Sequence, residues 1–439
     1  MPFEAIDPPQ PDLMTGRRNI AVIGAGISGM GAAHMLADDH HITIFESEAR
    51  LGGHARTKMA GKNGDQPVDT GFIVFNYANY PHLAALFKEL DVPVVKSNMS
   101  FGASIDGGRL EYALMTMDSI FAQRRNMANP KFLRMLSDIL RFNNNAIKIS
   151  EDRSLTIGGF LIKLGAGDYF RKYYLAPLSG AIWSTPVEKI MDFPAYSMID
   201  FFENHALLSH TGQHQWYTVD GGSQEYVNRL GASLSAKGVD IRLGAAVQSV
   251  RRTPLGVEVK SHGADWEHFD EVVFASHSDD TLAMLSDPSA QESAALGAVK
   301  YQPNDIVLHA DTSIMPKRRK TWASWVYCED KGHQSDRIDL TYWMNSLQPI
   351  PMDDLHFVTL NTKRPIREEL IYDQVTLRHP VYDMAALDAQ DQVRRFNGTN
   401  NTWFCGAWMK NGFHEDGLSS AVDVVRAIRG EAKVSLAAE

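Results

Sequence analysis

Residues 19–36 read NIAVIGAGISGMGAAHML. Ile20 to Ile23 are apolar at every position, the pattern of a strand buried on both faces, and glycines 24, 26 and 29 lead from it into a helical stretch. The unit is strand, tight turn, helix. Gly24 permits the turn, Gly26 lets backbone approach a pyrophosphate, and Gly29 lets helix and strand pack closely, with the phosphates at the helix N-terminus. A second strand, HITIFE, places Glu46 twenty residues after Gly26, where a carboxylate can accept from a ribose hydroxyl. Together these features predict a Rossmann-like α/β domain that holds a dinucleotide.

A chain of 439 residues with 44% hydrophobic content can bury two domains' worth of core. No apolar run reaches the roughly 18 to 20 residues of a membrane span, and the start MPFEAIDPPQPDLMTGRR lacks the apolar centre of a signal peptide. The expected location is therefore cytoplasmic, with 1–16 and 431–439 as flexible tails. Cys328 and Cys405, far apart in hydrophobic contexts, fit reduced buried thiols better than a disulfide or metal site, and no metal is expected. A net charge of −10 argues against nucleic-acid binding.

Motif order predicts discontinuous domains. The nucleotide-binding pieces are 17–75, 216–300 and 395–430, the last ending in a strand, TWFCGAW, and a helix from about Gly417 to Ile428. Between them, 76–215 reads as mainly helical and 301–394 carries strand-like stretches such as DIVLHAD, DLTYWMN and HFVTLNT; these two pieces are expected to form an α+β substrate domain.

After Glu46 come Arg50-x-Gly52-Gly53 and then Asp69-x-Gly71. With the turn at 24–29, this arrangement resembles the flavoprotein superfamily of amine oxidases, protoporphyrinogen oxidases and carotenoid desaturases, in which R-x-G-G-R-x-x-T continues the dinucleotide motif. The resemblance extends to GGSQEYV, FASHSDD and FCGAWMKNGFHEDGLSSAVDVVRAI. It implies noncovalent FAD, an amine-oxidase-like fold, and a cofactor set of Gly24, Gly26, Gly29, Glu46, Arg50, Gly52, Gly53, His54, Arg56, Val247, Gly406, Gly417, Leu418 and Ser419. His54 stands where the superfamily usually has arginine, with Arg56 two residues on. The strings VDTGFIVFN, ASHSDDTLAML, HPVYD and GFHEDGL further resemble one bacterial branch of predicted FAD-dependent oxidoreductases. That branch implies an association with cyclopropane-fatty-acyl-phospholipid synthase-type methyltransferases, and desaturation of methyl-branched acyl chains on the route to furan fatty acids.

Asp416 reads as the N-cap of the last helix, leaving N–H groups near Leu418 and Ser419 free for negative charge on reduced flavin. Amine oxidases usually set an aromatic wall at the position aligned with Leu418, and a lysine on the strand aligned with Asn304 and Asp305; both departures favour an alkyl substrate. Desaturation needs a proton acceptor, and His414 with Glu415 stands nearest the flavin-facing helix start. The structural alternative is that His414 satisfies a buried carbonyl and Glu415 supplies helix N-terminal charge; His277 is a weaker base. The stretch 130–149 sets Phe132, Leu133, Leu136, Ile139 and Leu140 on one helical face, with Lys131, Arg134, Arg141 and Lys148 beside it; core packing with a solvated basic face competes there with contact to an anionic membrane. Lys317 to Lys320 beside Trp322 and Trp325 offer a second interfacial segment. The sequence thus leads to a phospholipid acyl-chain desaturase, peripheral at the inner membrane face, with two rivals: an amine oxidase, and a non-catalytic flavin-binding partner of a lipid methyltransferase.

Overall fold

The structure, a computed structural model, describes residues 16–183, 189–204, 207–208, 214–330 and 337–431. The tails expected at the two ends lie outside the described residues, save residues 16 and 431.

Asn19–Ile23 is the middle strand of a five-stranded parallel sheet, in the order Asp240–Arg242, His41–Phe45, Asn19–Ile23, Glu271–Phe274, Thr402–Phe404. Because side chains alternate across a strand, Ile20 and Val22 enter one apolar cluster while Ala21 and Ile23 enter another. The first cluster is closed by helices Ile27–Leu36, Gln224–Ala236 and His414–Ile428. The second is closed by an antiparallel meander, Val247–Thr253, Gly256–Ser261 and Trp266–Phe269, with helices Ala290–Ala298 and Met384–Phe396. Strand order reverses beside Asn19–Ile23, which opens a crevice at the carboxyl ends of the strands. Helix Pro81–Glu89 also packs here, through Leu83, Leu86 and Phe87.

The other body is a seven-stranded mixed sheet, ordered Ile371–Val381, Lys300–His309, Phe357–Leu360, Leu340–Trp343, Trp325–Cys328, Phe101–Ile105, Leu110–Ala113. Its last hairpin falls in the stretch read as mainly helical. Both of its strands are short and buried at every position, so they carry no alternating signal. Helices Pro130–Ser150, Ile157–Leu164 and Ala195–Asn204 cover this sheet and share its core.

Helix Pro130–Ser150 turns a different face inward from the one expected. Phe132, Met135, Asp138, Phe142 and Ala146 are buried, whereas Leu133, Leu140 and Ile147 are 42%, 53% and 47% exposed. Asp138 sets the rotation: its carboxylate accepts from Gly167 N–H at 2.9 Å inside the core, with Arg134 and Arg141 at its rim. The tryptophan segment is partly engaged within the protein. Trp322 is buried and donates Nε1–H to Pro316 O, while Arg318 pairs with buried Glu111 and Lys320 with Asp118, their side chains 42% and 64% exposed. Among the described residues no helix is long and apolar enough to cross a membrane.

Candidate active site

One cavity of about 600 Å³ runs from the glycine turn to the helical side of the second body. At the turn, Gly24 has φ +102°, and a side chain on Gly29 would come within 1.8 Å of Gly24 O, so strand and helix meet only with glycine there. A Cβ on Gly26 meets nothing within 4 Å; it would project into open space. Helix Ile27–Leu36 has no side-chain cap, and Ile27 and Ser28 line the cavity at its first turn. Glu46 accepts from Ala25 N–H at 2.7 Å and Glu48 N–H at 2.8 Å, which holds its carboxylate on the same wall. Gly52 N–H donates to Ala25 O at 2.8 Å and brings Gly52, Gly53 and His54 alongside. An open face at Gly26, an uncapped helix start and a fixed carboxylate suit a dinucleotide, and FAD fits this cradle.

Several expected contacts are different. Arg50 donates to the carbonyls of Leu51, Gly53 and Ala55, clamping the turn instead of facing a phosphate. Arg56 pairs with Asp373 and Thr70, outside the cavity lining. Val247 lies in the meander and does not line the cavity. Asp69 ties two motifs together: fully buried, it accepts from Thr57, from the N–H and hydroxyl of Ser223, and from Gln348, while desolvation pushes its carboxyl up to about 6.

The last helix starts at His414, three residues before Gly417, with Phe413 as its N-cap residue; Asp416 is its third residue, accepting from Phe413 N–H at 2.9 Å. The uncommitted N–H groups therefore belong to the turn at 414–416, not to Leu418 and Ser419. Leu418 is 3% exposed and packs on Gly31 in the sheet's core, so it forms no wall of the cavity. Gly417 packs against Ile27 and Ser28, and Ser419 takes a hydrogen bond from Lys410. Glu415 accepts from the N–H groups of His82 and Leu83 at 3.0 and 2.9 Å; it caps a neighbouring helix and is absent from the cavity wall, while burial raises its carboxyl to about 7. Cys405 is buried in the core, off the cavity, and Cys328 is likewise a free buried thiol.

Four imidazoles among the described residues line the cavity: His54, His277, His379 and His414. His414 stacks on Phe72, with centroids 4.0 Å apart, and meets Tyr226 Oη at 2.6 Å; desolvation drives its pKa down to about 3. Its Nε2 is engaged with the Tyr226 hydroxyl. His54 lies 5.8 Å from His277 and 5.5 Å from His379, ring to ring, and His277 stacks on Tyr301. Burial lowers all three, His277 and His379 to about 3. His54 donates Nε2–H to Arg378 O at 3.2 Å, which leaves Nδ1 with its lone pair. Phe72, directly after Asp69-x-Gly71, was readable from its neighbours; Tyr226, Tyr301 and His379 reach the site only through tertiary pairing.

Beyond the imidazoles the wall becomes apolar and aromatic, with Phe101, Leu114, Leu178, Ile182, Trp325 and Tyr342 among its residues. Among the described lining residues the only carboxylates are Glu46, in the cradle, and Asp280, which is paired with Arg378.

Comparison with known proteins agrees with this geometry. Coproporphyrinogen III oxidase from Mycobacterium bovis is 42% identical over 77 residues, 17% of this chain and only 16% of that protein's length. The CLA-producing fatty acid isomerase from P. acnes has a similar fold, with TM-score 0.67 at 14% identity over 93% of this chain and 98% of its own. Wild-type putrescine oxidase bound to putrescine gives TM-score 0.66 at 12% identity over 94% and 99%. Residues 27–338 match the model for flavin containing amine oxidoreductases. Matched over most of its length and holding the cradle that such a cofactor needs, the chain belongs to the flavin containing amine oxidoreductase family, with FAD as its cofactor.

Proposed function

We propose that this FAD-dependent oxidoreductase desaturates a fatty acyl chain, specifically a methyl-branched chain of a phospholipid on the route to furan fatty acids. The observation that carries the reading is the far half of the cavity, whose described walls offer apolar and aromatic side chains and no carboxylate. It offers no carboxylate to pair with an ammonium group, whereas apolar contact runs along a chain and each methylene buried contributes about 0.8 kcal/mol. The fatty acid isomerase shares this fold, which supports a chain-like substrate.

Bound FAD supplies the acceptor for an electron pair and one hydrogen. The second hydrogen leaves as a proton, and His54 is the imidazole whose Nδ1 stays open while its Nε2–H is fixed on a backbone carbonyl. Lipid reaches the cavity from an anionic membrane surface: Leu114 lines the cavity, and Met115 next to it is 44% exposed. Met117, Met127, Leu133 and Leu140 are exposed too, in a stretch of chain that carries Arg125, Lys131 and Arg134. A methyltransferase that builds the branched chain is the matching partner, and the inner membrane face the matching location. Anaerobic mixing of the flavoprotein with methyl-branched phospholipid, beside a panel of amines, tests the reading. Bleaching of the flavin by lipid is expected; bleaching by amines alone refutes it.

A further inference from the structure

Strands Lys300–His309 and Ile371–Val381 run antiparallel, with Gln302 opposite His379 and Asn304 fully buried between them and the next strand. A chain of hydrogen bonds starts from a group whose role is unambiguous. The backbone N–H of Asp305 donates to Asn361 Oδ1 at 2.9 Å, which fixes the orientation of that amide. Asn361 Nδ2 then donates to Ile338 O at 3.2 Å and to Asn304 Oδ1 at 2.7 Å. Asn304 consequently turns its own Nδ2 toward Gln302 O at 3.3 Å and His379 Nδ1 at 2.9 Å. An amide nitrogen only donates, so His379 Nδ1 accepts, and a neutral ring must carry its hydrogen on Nε2. Desolvation keeps the ring neutral. Asn361 has φ +54°, a left-handed conformation that asparagine tolerates and that seats its side chain in this chain of bonds.

His379 lines the cavity, and its Nε2 makes no hydrogen bond among the described residues. Its ring neighbour His54 follows Gly53 of the cradle, and His277 follows Ser276 on the same wall, so the three imidazoles flank the cofactor half of the cavity and not its apolar end.

We propose that Asn361 and Asn304 are positioning residues that lock His379 as the Nε2–H tautomer, and that His379 donates this uncharged N–H to an acceptor atom of the bound flavin ring system. The inference rests on the assignment of FAD to this cavity. A neutral donor held in one tautomer suits the uncharged oxidised ring, because it binds without taking up a proton.

Nitrogen-15 NMR of the histidine rings, on the full chain with and without FAD at pH 7, reads the tautomer directly. His379 as Nε2–H in both, with that N–H shifting when FAD is added, is expected; an Nδ1–H tautomer or a charged ring overturns the lock. Asn361→Leu, which does not touch His379, should release the ring to a mixture of tautomers, and an unchanged tautomer in that variant removes Asn361 from the proposal. His379→Phe should raise the FAD dissociation constant by about tenfold, as expected for one neutral hydrogen bond, and shift the visible flavin band. His379→Gln, which retains an N–H, should restore part of both. Unchanged affinity and spectrum in His379→Phe refute the donor role. Failure of the wild-type chain to bind FAD overturns the cofactor assignment itself, while the tautomer in the FAD-free protein remains a separate result.

Discussion

Gly26→Val separates the ligand's needs from the fold's. The residue has φ −75° and ψ −177°, extended backbone that valine adopts readily, and its Cβ would meet no protein atom within 4 Å. Stability of the FAD-free protein should change by under about 1 kcal/mol, the scale of an N-cap exchange. In the bound state the same carbon would occupy the space through which a pyrophosphate reaches the backbone. Losing two charge-assisted backbone hydrogen bonds, each worth about 1.5 to 3 kcal/mol, weakens FAD binding by about 10² to 10⁴-fold. Gly29→Ala is the counter-case: its Cβ would sit 1.8 Å from Gly24 O, so the apoprotein itself should be destabilised. The assay pairs thermal melts of the FAD-free proteins with fluorescence titrations of FAD. Retention of FAD within about threefold of wild type by Gly26→Val, or an apoprotein melt lowered as far as that of Gly29→Ala, refutes the reasoning.

Three further outcomes are expected. His277, His379 and His414 have folded pKa values of about 3, below the unfolded 6.5, so the unfolded chain binds more protons between those values; stability is full above pH 6.5 and declines as pH falls toward 3. Each imidazole contributes up to about 1.4 kcal/mol per pH unit, so urea midpoints of the FAD-free protein should fall less steeply with acid in His277→Gln, and an identical slope counts against burial as the cause. Leu178→Trp should shorten the acyl chain accepted at the apolar end, seen as slower flavin reduction by long-chain lipid with FAD retained; an unaltered chain-length profile places the chain elsewhere. Replacing Leu133, Leu140 and Ile147 by glutamate should abolish sedimentation with phosphatidylglycerol vesicles at low salt, and equal binding removes this face from lipid contact.

The nucleotide-binding sheet was legible because its signals are local. Ile20 to Ile23, the glycines that follow and Glu46 lie within one strand–turn–helix–strand unit, and each lies where its residue type predicts. The last helix was placed three residues late because Asp416 resembles an N-cap, when it instead reaches back to Phe413 N–H from inside the first turn. Leu418 instead packs on Gly31 and Glu415 caps the helix at His82 and Leu83, partners that lie far from them in sequence. The face of helix Pro130–Ser150 was misread because Asp138 looks solvent-seeking in sequence, yet its bond to Gly167 N–H lies inside the core. The neutral imidazoles were hidden by distance along the chain: His54, His277 and His379 come from three separate segments, and nothing in any one of them announces the others.

The parallel sheet also has a history in time. Its central strand leaves the ribosome first, but the fifth strand, Thr402–Phe404, and the helix that supplies His414 emerge last. At about 5 to 20 residues per second, roughly 20 to 80 s separate Ile23 from Phe404 during synthesis. For the last part of that interval, roughly 7 to 26 s, Val273 and Phe274 are present without their covering strand, and the cavity gains the wall that holds Gly406 and His414 only at its end.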